Sequence, residues 1–120
     1  MAKKIVVVDD EPDILKVVVF RLKKLGCEIV TATNGADGLA RIREHHPDVI
    51  LLDYRLPDTD GLEIARGLRQ DAAFAKTPII LISASSAADI TEALEAASVN
   101  DYVVKPFDPE KLLATVRKYL

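Results

Sequence analysis

The chain has 120 residues, with 16 Lys plus Arg against 19 Asp plus Glu and a formal charge of −3. Its 49% apolar and 29% charged residues are the balance of one folded domain, not of a disordered chain. No unbroken apolar run exceeds four residues, far short of the roughly 20 that a membrane-spanning helix needs. The start, Met-Ala-Lys-Lys, is followed by no signal-peptide apolar stretch. The mild acidity and scattered cations argue against direct contact with nucleic acid. Cys27 is the only cysteine, so no internal disulfide can form. That suits a reducing compartment, and a cytoplasmic location is expected.

The elements alternate in kind along the chain. A β-branched run at Lys4–Val8 predicts the first strand, ending in Asp9-Asp10. Pro12 suits the first helical position and Gly26 the residue just past the end. Between them Ile14, Val18, Leu22 and Leu25 share one face, so a helix is predicted despite the strand-like Val17–Phe20. Glu28–Thr31 is the second strand. Asn34 caps a second helix through Leu39 and Ile42, stopped before Pro47. Val49–Leu52 is the third strand and ends in Asp53. Asp60 and Glu63 form a capping-box pattern for a third helix, in which Gly67 is a weak point. Pro78–Ile82 is the fourth strand and runs into Ser83. Ser86 or a neighbour opens a fourth helix with Ile90, Leu94 and Ala97 on one face. Tyr102–Val104 is the fifth strand, followed by Lys105-Pro106. Asp108-Pro109 opens a last helix that buries Leu112, Leu113 and Val116.

Five strands alternating with five helices predict one α/β domain over residues 1–120, a doubly wound parallel sheet. The strands are apolar throughout, as strands covered on both faces should be. Right-handed crossovers then place helices on both sides. The flavodoxin-like order 2-1-3-4-5 follows, with any ligand beyond the strand C-termini near the first and third strands.

That topology gathers Asp9, Asp10, Asp53, Ser83 and Lys105 on one rim. Three carboxylates close together repel, by about 4 kcal/mol per pair at 4 Å and an effective dielectric of 20. They call for a counter-charge. Mg²⁺ fits, since it prefers oxygen ligands and retains waters that a phosphate oxygen can displace. Lys105 supplies a second positive point. A carboxylate in that setting can attack phosphorus and form an acyl phosphate.

Four motifs carry a family likeness. They are Val-Val-Val-Asp9-Asp10-Glu-Pro, Leu-Leu-Asp53-Tyr-Arg-Leu-Pro57-Asp-Thr-Asp60-Gly61, Ile-Ser83-Ala84 and Asp101-Tyr102-Val-Val-Lys105-Pro106-Phe107. In order and spacing the chain resembles the receiver domain of two-component response regulators. The resemblance implies that Asp53 is the phospho-acceptor and that Asp9, Asp10, Asp53 and the Arg55 backbone carbonyl hold Mg²⁺. It implies that Ser83 and Lys105 assist at the phosphoryl group, that Ser83 and Tyr102 form the conformational switch, and that Lys105-Pro106 is cis. It implies a sensor histidine kinase or histidine phosphotransfer protein as donor. The downstream protein would dock on the fourth helix, fifth strand and fifth helix, and the chain would be a monomer or a phosphorylation-dependent dimer.

Some residues depart from the family pattern. Ser83 replaces the commoner Thr. Ser98 and Val99 stand where Gly-Ala is usual, which would close the fourth helix differently. Arg55 and Ser85 occupy variable positions flanking the site.

Taken singly, the residues have plainer readings. Asp9-Asp10 reads as a helix-capping turn, Ser83 as a turn hydroxyl, Lys105 as a solvated charge and Tyr102 as a packing residue. His45-His46 are adjacent and point apart, so they cannot chelate together. No glycine-rich phosphate loop is present. Two competing functions remain. One is a receiver-shaped interaction module that signals without phosphorylation. The other is a haloacid-dehalogenase-type phosphohydrolase, whose general acid would sit where this chain has Arg55, a group that keeps its proton at neutral pH. No output region follows the last predicted helix, so action through docking or a phosphorelay is expected.

Overall fold

The computed structural model of the protein describes residues 2–84, 91, 94, 95 and 97–120. Strands β1 (Lys4–Val8), β2 (Glu28–Ala32), β3 (Val49–Asp53), β4 (Ile79–Ser83) and β5 (Asp101–Val104) alternate with helices. They form one parallel sheet in the order β2-β1-β3-β4-β5. The doubly wound arrangement expected from the sequence is therefore the one observed. The helices with complete ranges are α1 (Pro12–Leu22), α2 (Gly35–His45), α3 (Gly61–Arg69) and α4 (Pro109–Arg117).

The sheet alternation sorts the core into two layers. Ile5, Val7, Leu51, Ile80 and Ile82 point toward α1 and α4, against Val18, Leu22, Leu112 and Val116. Val6, Val8, Ile50, Leu52 and Leu81 point the other way, against Ile42 of α2 and Leu62, Ala65 and Leu68 of α3. Successive strand residues face opposite sides, so an unbroken apolar run fills both layers. Each fully buried Val, Leu or Ile contributes roughly 1.5–3 kcal/mol. An exposed ion pair such as Glu63–Arg66 at 2.6 Å adds at most about 1 kcal/mol, so burial, not surface charge, holds the fold.

The helix ends follow their capping residues. Asn34, Asp60 and Asp108 each accept a first-turn N–H through the side chain. The expected capping box is only half formed, because the Glu63 carboxylate pairs with Arg66. The first helix tightens into a 3-10 turn at Lys23–Leu25 and stops at Gly26, which has φ 73°. His46, exposed at the end of α2, stacks on Phe74 with ring centroids 5.1 Å apart.

Thr91, Leu94, Glu95 and Ala97 are helical, and Leu94 and Ala97 pack on the layer containing α2 and α3, as expected of the fourth helix. Its predicted start at Ser86, together with Ser85 and Ile90, lies outside the described residues. Ser98 closes that helix in the left-handed region at φ 53°, its N–H donating to the Glu95 carbonyl and that of Val99 to Leu94. The glycine-like closure is thus kept with a residue that carries a Cβ.

Candidate functional site

The register of the sheet builds the site. Val8 pairs with Leu52, which sets Asp9 beside Asp53 at the C-terminal ends of β1 and β3. Ser83 ends β4 opposite Val104 of β5. The chain then carries Lys105 onto the same rim, its N–H donating to the Ser83 carbonyl at 2.7 Å. The Lys105-Pro106 bond is cis, as the resemblance implied.

Lys105 is the hub. Its Nζ lies 3.0 Å from Asp53 Oδ2, 3.2 Å from Asp9 Oδ2 and 3.1 Å from Glu11 Oε1. Asp9 is fully buried and Asp53 nearly so, while Asp10 and Glu11 are exposed. One oxygen from each of Asp9, Asp10, Glu11 and Asp53 can be chosen so that all lie within 4.8 Å of one another. Three of these four carboxylates, those of Asp9, Glu11 and Asp53, share the Lys105 ammonium. A cavity of about 110 Å³ opens between Glu11, Asp53, Arg55, Ser83 and Lys105. It is large enough to admit a phosphoryl group.

The electrostatics follow from burial. Desolvation raises the Asp53 carboxyl to about 6, reinforced by the charge of Asp9 and opposed by the Lys105 hydrogen bond. Burial works against the Lys105 ammonium. The hydrogen bond to Asp53 and the charges of Asp53 and Asp9 outweigh it, and the group is held above its ordinary range. Asp9 Oδ1 accepts the Glu11 N–H at 2.9 Å. Its Oδ2 is buried and, among the described residues, accepts no hydrogen bond, with Lys105 at 3.2 Å as an ion-pair partner. A buried anionic oxygen so placed, among all-oxygen donors, fits a hard cation.

The loop after β3 shapes the other wall. The Arg55 N–H approaches Asp53 Oδ1 at 3.4 Å, and its guanidinium sits 6.0 Å over the Tyr54 ring. Gly61 donates its N–H to the Tyr54 carbonyl at 2.7 Å. A Cβ there would stand 2.5 Å from the Asp53 carbonyl oxygen, so only glycine lets α3 start this close to the site. Tyr102 is half-buried on β5 opposite Leu81, packed with the layer that contains Leu94 and Ala97.

All the rim residues singled out from sequence converge, while Tyr102 lies outside the cavity lining, two strand positions before the Val104 that pairs with Ser83. Two residues were missed. Glu11 joins the cluster because it follows Asp10 directly, a signal that was available. Asp58 caps α2 from 23 positions away, for which the sequence offers no local signal.

Comparison with known proteins decides the family. Residues 5–117 match the response regulator receiver domain. The chain belongs to that family. It is 40% identical over 114 residues to the transcriptional regulatory protein KdpE of Mycobacterium tuberculosis, covering 94% of this chain and 49% of that protein. It spans about half the length of the curated relatives it matches. Its fold superposes on chemotaxis response regulator CheY4 of Vibrio cholerae with a TM-score of 0.94 and 30% identity, over 100% of both chains. The receiver domain of sensor histidine kinase PA1611 from Pseudomonas aeruginosa, solved with a magnesium ion coordinated in the active site cleft, matches with a TM-score of 0.88. The identity is 28%, over 99% of this chain and 98% of that one. This receiver thus takes its place in two-component signalling.

Proposed function

We propose that this receiver, as one domain over residues 1–120, accepts a phosphoryl group on Asp53 and switches a protein-binding face in response. The observation that carries the reading is the cluster of Asp9, Asp10, Glu11 and Asp53 beside a small cavity, with Lys105 paired to Asp9, Glu11 and Asp53. A carboxyl that titrates near 6 is ionised at neutral pH and available as a nucleophile. An Asp53 oxygen attacks phosphorus, and the bond from phosphorus to the donor nitrogen of a phosphohistidine breaks. The leaving imidazole keeps the electron pair.

Lys105 pairs with an anionic oxygen of the transferred group, and the Ser83 hydroxyl with another. Asp10, Asp53 and the Arg55 backbone carbonyl would hold Mg²⁺, with Asp9 acting through water, as the family resemblance implies. When bound, the ion neutralises charge on the phosphoryl oxygens. The magnesium ion in the active site cleft of the PA1611 receiver supports a magnesium site here.

The donor is a sensor histidine kinase or a histidine phosphotransfer protein. Ser83 and Tyr102 form the switch: Ser83 moves toward the new charge and Tyr102 fills the space it leaves. The face that responds comprises the helix before Ser98, β5 and α4, whether the chain acts as a monomer or as a phosphorylation-dependent dimer. The chain's catalysis is confined to its own phosphorylation and dephosphorylation. A cytoplasmic setting accords with the single free thiol of Cys27, and no helix among the described residues is long and apolar enough to cross a membrane.

Fluorine NMR with beryllofluoride, an analogue of the phosphoryl group, tests the proposal. A bound signal should require both Mg²⁺ and Asp53, and the Tyr102 ring resonances should shift on binding. A bound signal in Asp53→Asn, or none in the wild type, would contradict it. An unmoved Tyr102 would remove the switch step.

A further inference from the structure

The loop from β3 to α3 closes on itself. Arg55 and Asp60 form an antiparallel bridge, and the Leu56 N–H donates to the Thr59 carbonyl at 3.0 Å. Asp58 sits at the tip of this small hairpin. Its Oδ1 accepts the Gly35 N–H at 2.7 Å and its Oδ2 the Ala36 N–H at 2.9 Å. Those are the first two amides of α2. The next, of Asp37, goes to Asn34 Oδ1, and that of Gly38 to the Asn34 carbonyl. The amides of the first three helical residues are therefore all satisfied from outside the regular ladder, two of them by a residue of another loop, and Gly38 begins the ladder itself. The contact is close as well as polar. A Cβ on Gly35 would run into Thr59 Cγ2.

The same helix is seated on the strand that carries the acidic pair. A Cβ on Gly38 would lie 2.7 Å from Val8 Cγ2, one residue before Asp9. Helix α2 thus ties the two walls of the pocket together, with β1 on one side and the Arg55 hairpin on the other. The Gly35 and Ala36 amides hold the Asp58 carboxyl below its ordinary range, so the clamp is charged throughout the neutral region.

We propose that Asp58 is a positioning residue of the phosphoryl-accepting pocket, its carboxylate fixing the hairpin that carries Arg55 against α2 and so against Asp9 and Asp10. It touches neither the cation nor the phosphoryl group. It sets where the Arg55 backbone carbonyl stands relative to the acidic pair. The proposal rests on the receiver reading above, in which that carbonyl faces the ion.

The experiment uses the full chain with Asp58→Ala, Asp58→Asn and a control, Asn34→Ala, which removes the other side-chain cap of the same helix. Two quantities are measured: amide hydrogen exchange at Leu56 without divalent metal, and Mg²⁺ affinity by calorimetry. Loss of the clamp in Asp58→Ala should speed Leu56 exchange and weaken Mg²⁺ binding, each by about tenfold, as for other residues that orient metal ligands. Asp58→Asn should fall between, and Asn34→Ala should leave both near wild type. Wild-type values in Asp58→Ala, or equal losses in Asn34→Ala, would overturn the proposal. A wild-type protein that binds no Mg²⁺ would instead contradict the receiver reading, and the Leu56 exchange would still decide whether Asp58 holds the hairpin.

Discussion

Lys105 Nζ donates to Asp53 Oδ2 at 3.0 Å across 52 positions of sequence, joining the end of β5 to the end of β3. The Lys105 side chain is only 12% exposed, and its ammonium is shared with Asp9 and Glu11. Removing it leaves several carboxylates facing one another with no cation.

Lys105→Met should therefore destabilise the metal-free protein at neutral pH by about 2 kcal/mol, below the cost of breaking a fully buried pair because Asp53 can take up a proton. Added Mg²⁺ should restore much of that loss. Urea unfolding with and without the ion measures both. A variant as stable as wild type without metal would show that Lys105 is not the counter-charge of the cluster.

The raised Asp53 carboxyl fixes a pH dependence. In the folded chain it holds its proton up to about 6, against an ordinary value of 3.8. The folded state thus binds more protons than the unfolded state across that window, and stability falls as pH rises through it. Relative to Asp53→Asn, the metal-free wild type should lose about 2 kcal/mol between about pH 4 and pH 7. Parallel stability curves for the two proteins would contradict the assignment.

Two glycines of α3 should respond with opposite signs. Gly61 has the Asp53 carbonyl oxygen where its Cβ would go, whereas a Cβ on Gly67 would meet nothing within 4 Å. Gly61→Ala should cost about 2 kcal/mol through forced backbone movement. Gly67→Ala should gain about 0.5–1 kcal/mol from helix propensity. Thermal unfolding of the two variants distinguishes them, and a neutral Gly61→Ala would deny the close approach.

Ser98, at φ 53°, occupies a conformation that costs an L-residue roughly 1–2 kcal/mol. Ser98→Gly should stabilise the chain by about 0.5–1 kcal/mol once the extra freedom of glycine in the unfolded chain is subtracted. Ser98→Val should destabilise it. Chemical denaturation gives both values, and a destabilised Ser98→Gly would exclude the left-handed closure.

The legible part of the molecule was the part written in local pattern. Apolar runs such as Ile79–Ile82 mark buried strands, and Asn34, Asp60 and Asp108 announce their helices. The rim was legible because chemistry-bearing residues stand at the strand ends, and a parallel sheet brings those ends together. The Asp58 clamp was not legible, since its partners are fixed only by how α2 sits on the hairpin. Nor was the pairing of Glu63 with Arg66, where a nearby cation competes with the capping box. Ser98 shows the same limit in reverse: its residue type argued against the left-handed turn that neighbouring backbone bonds impose.

The most direct measurement is intact-mass and peptide-mapping spectrometry after incubation with acetyl phosphate and Mg²⁺. One phosphoryl group should appear, located on Asp53, lost in alkali, and absent when Mg²⁺ is chelated or Asp53 is replaced by Asn. An unmodified wild type, or a phosphoryl group that persists in Asp53→Asn, would contradict phosphoryl acceptance at this pocket.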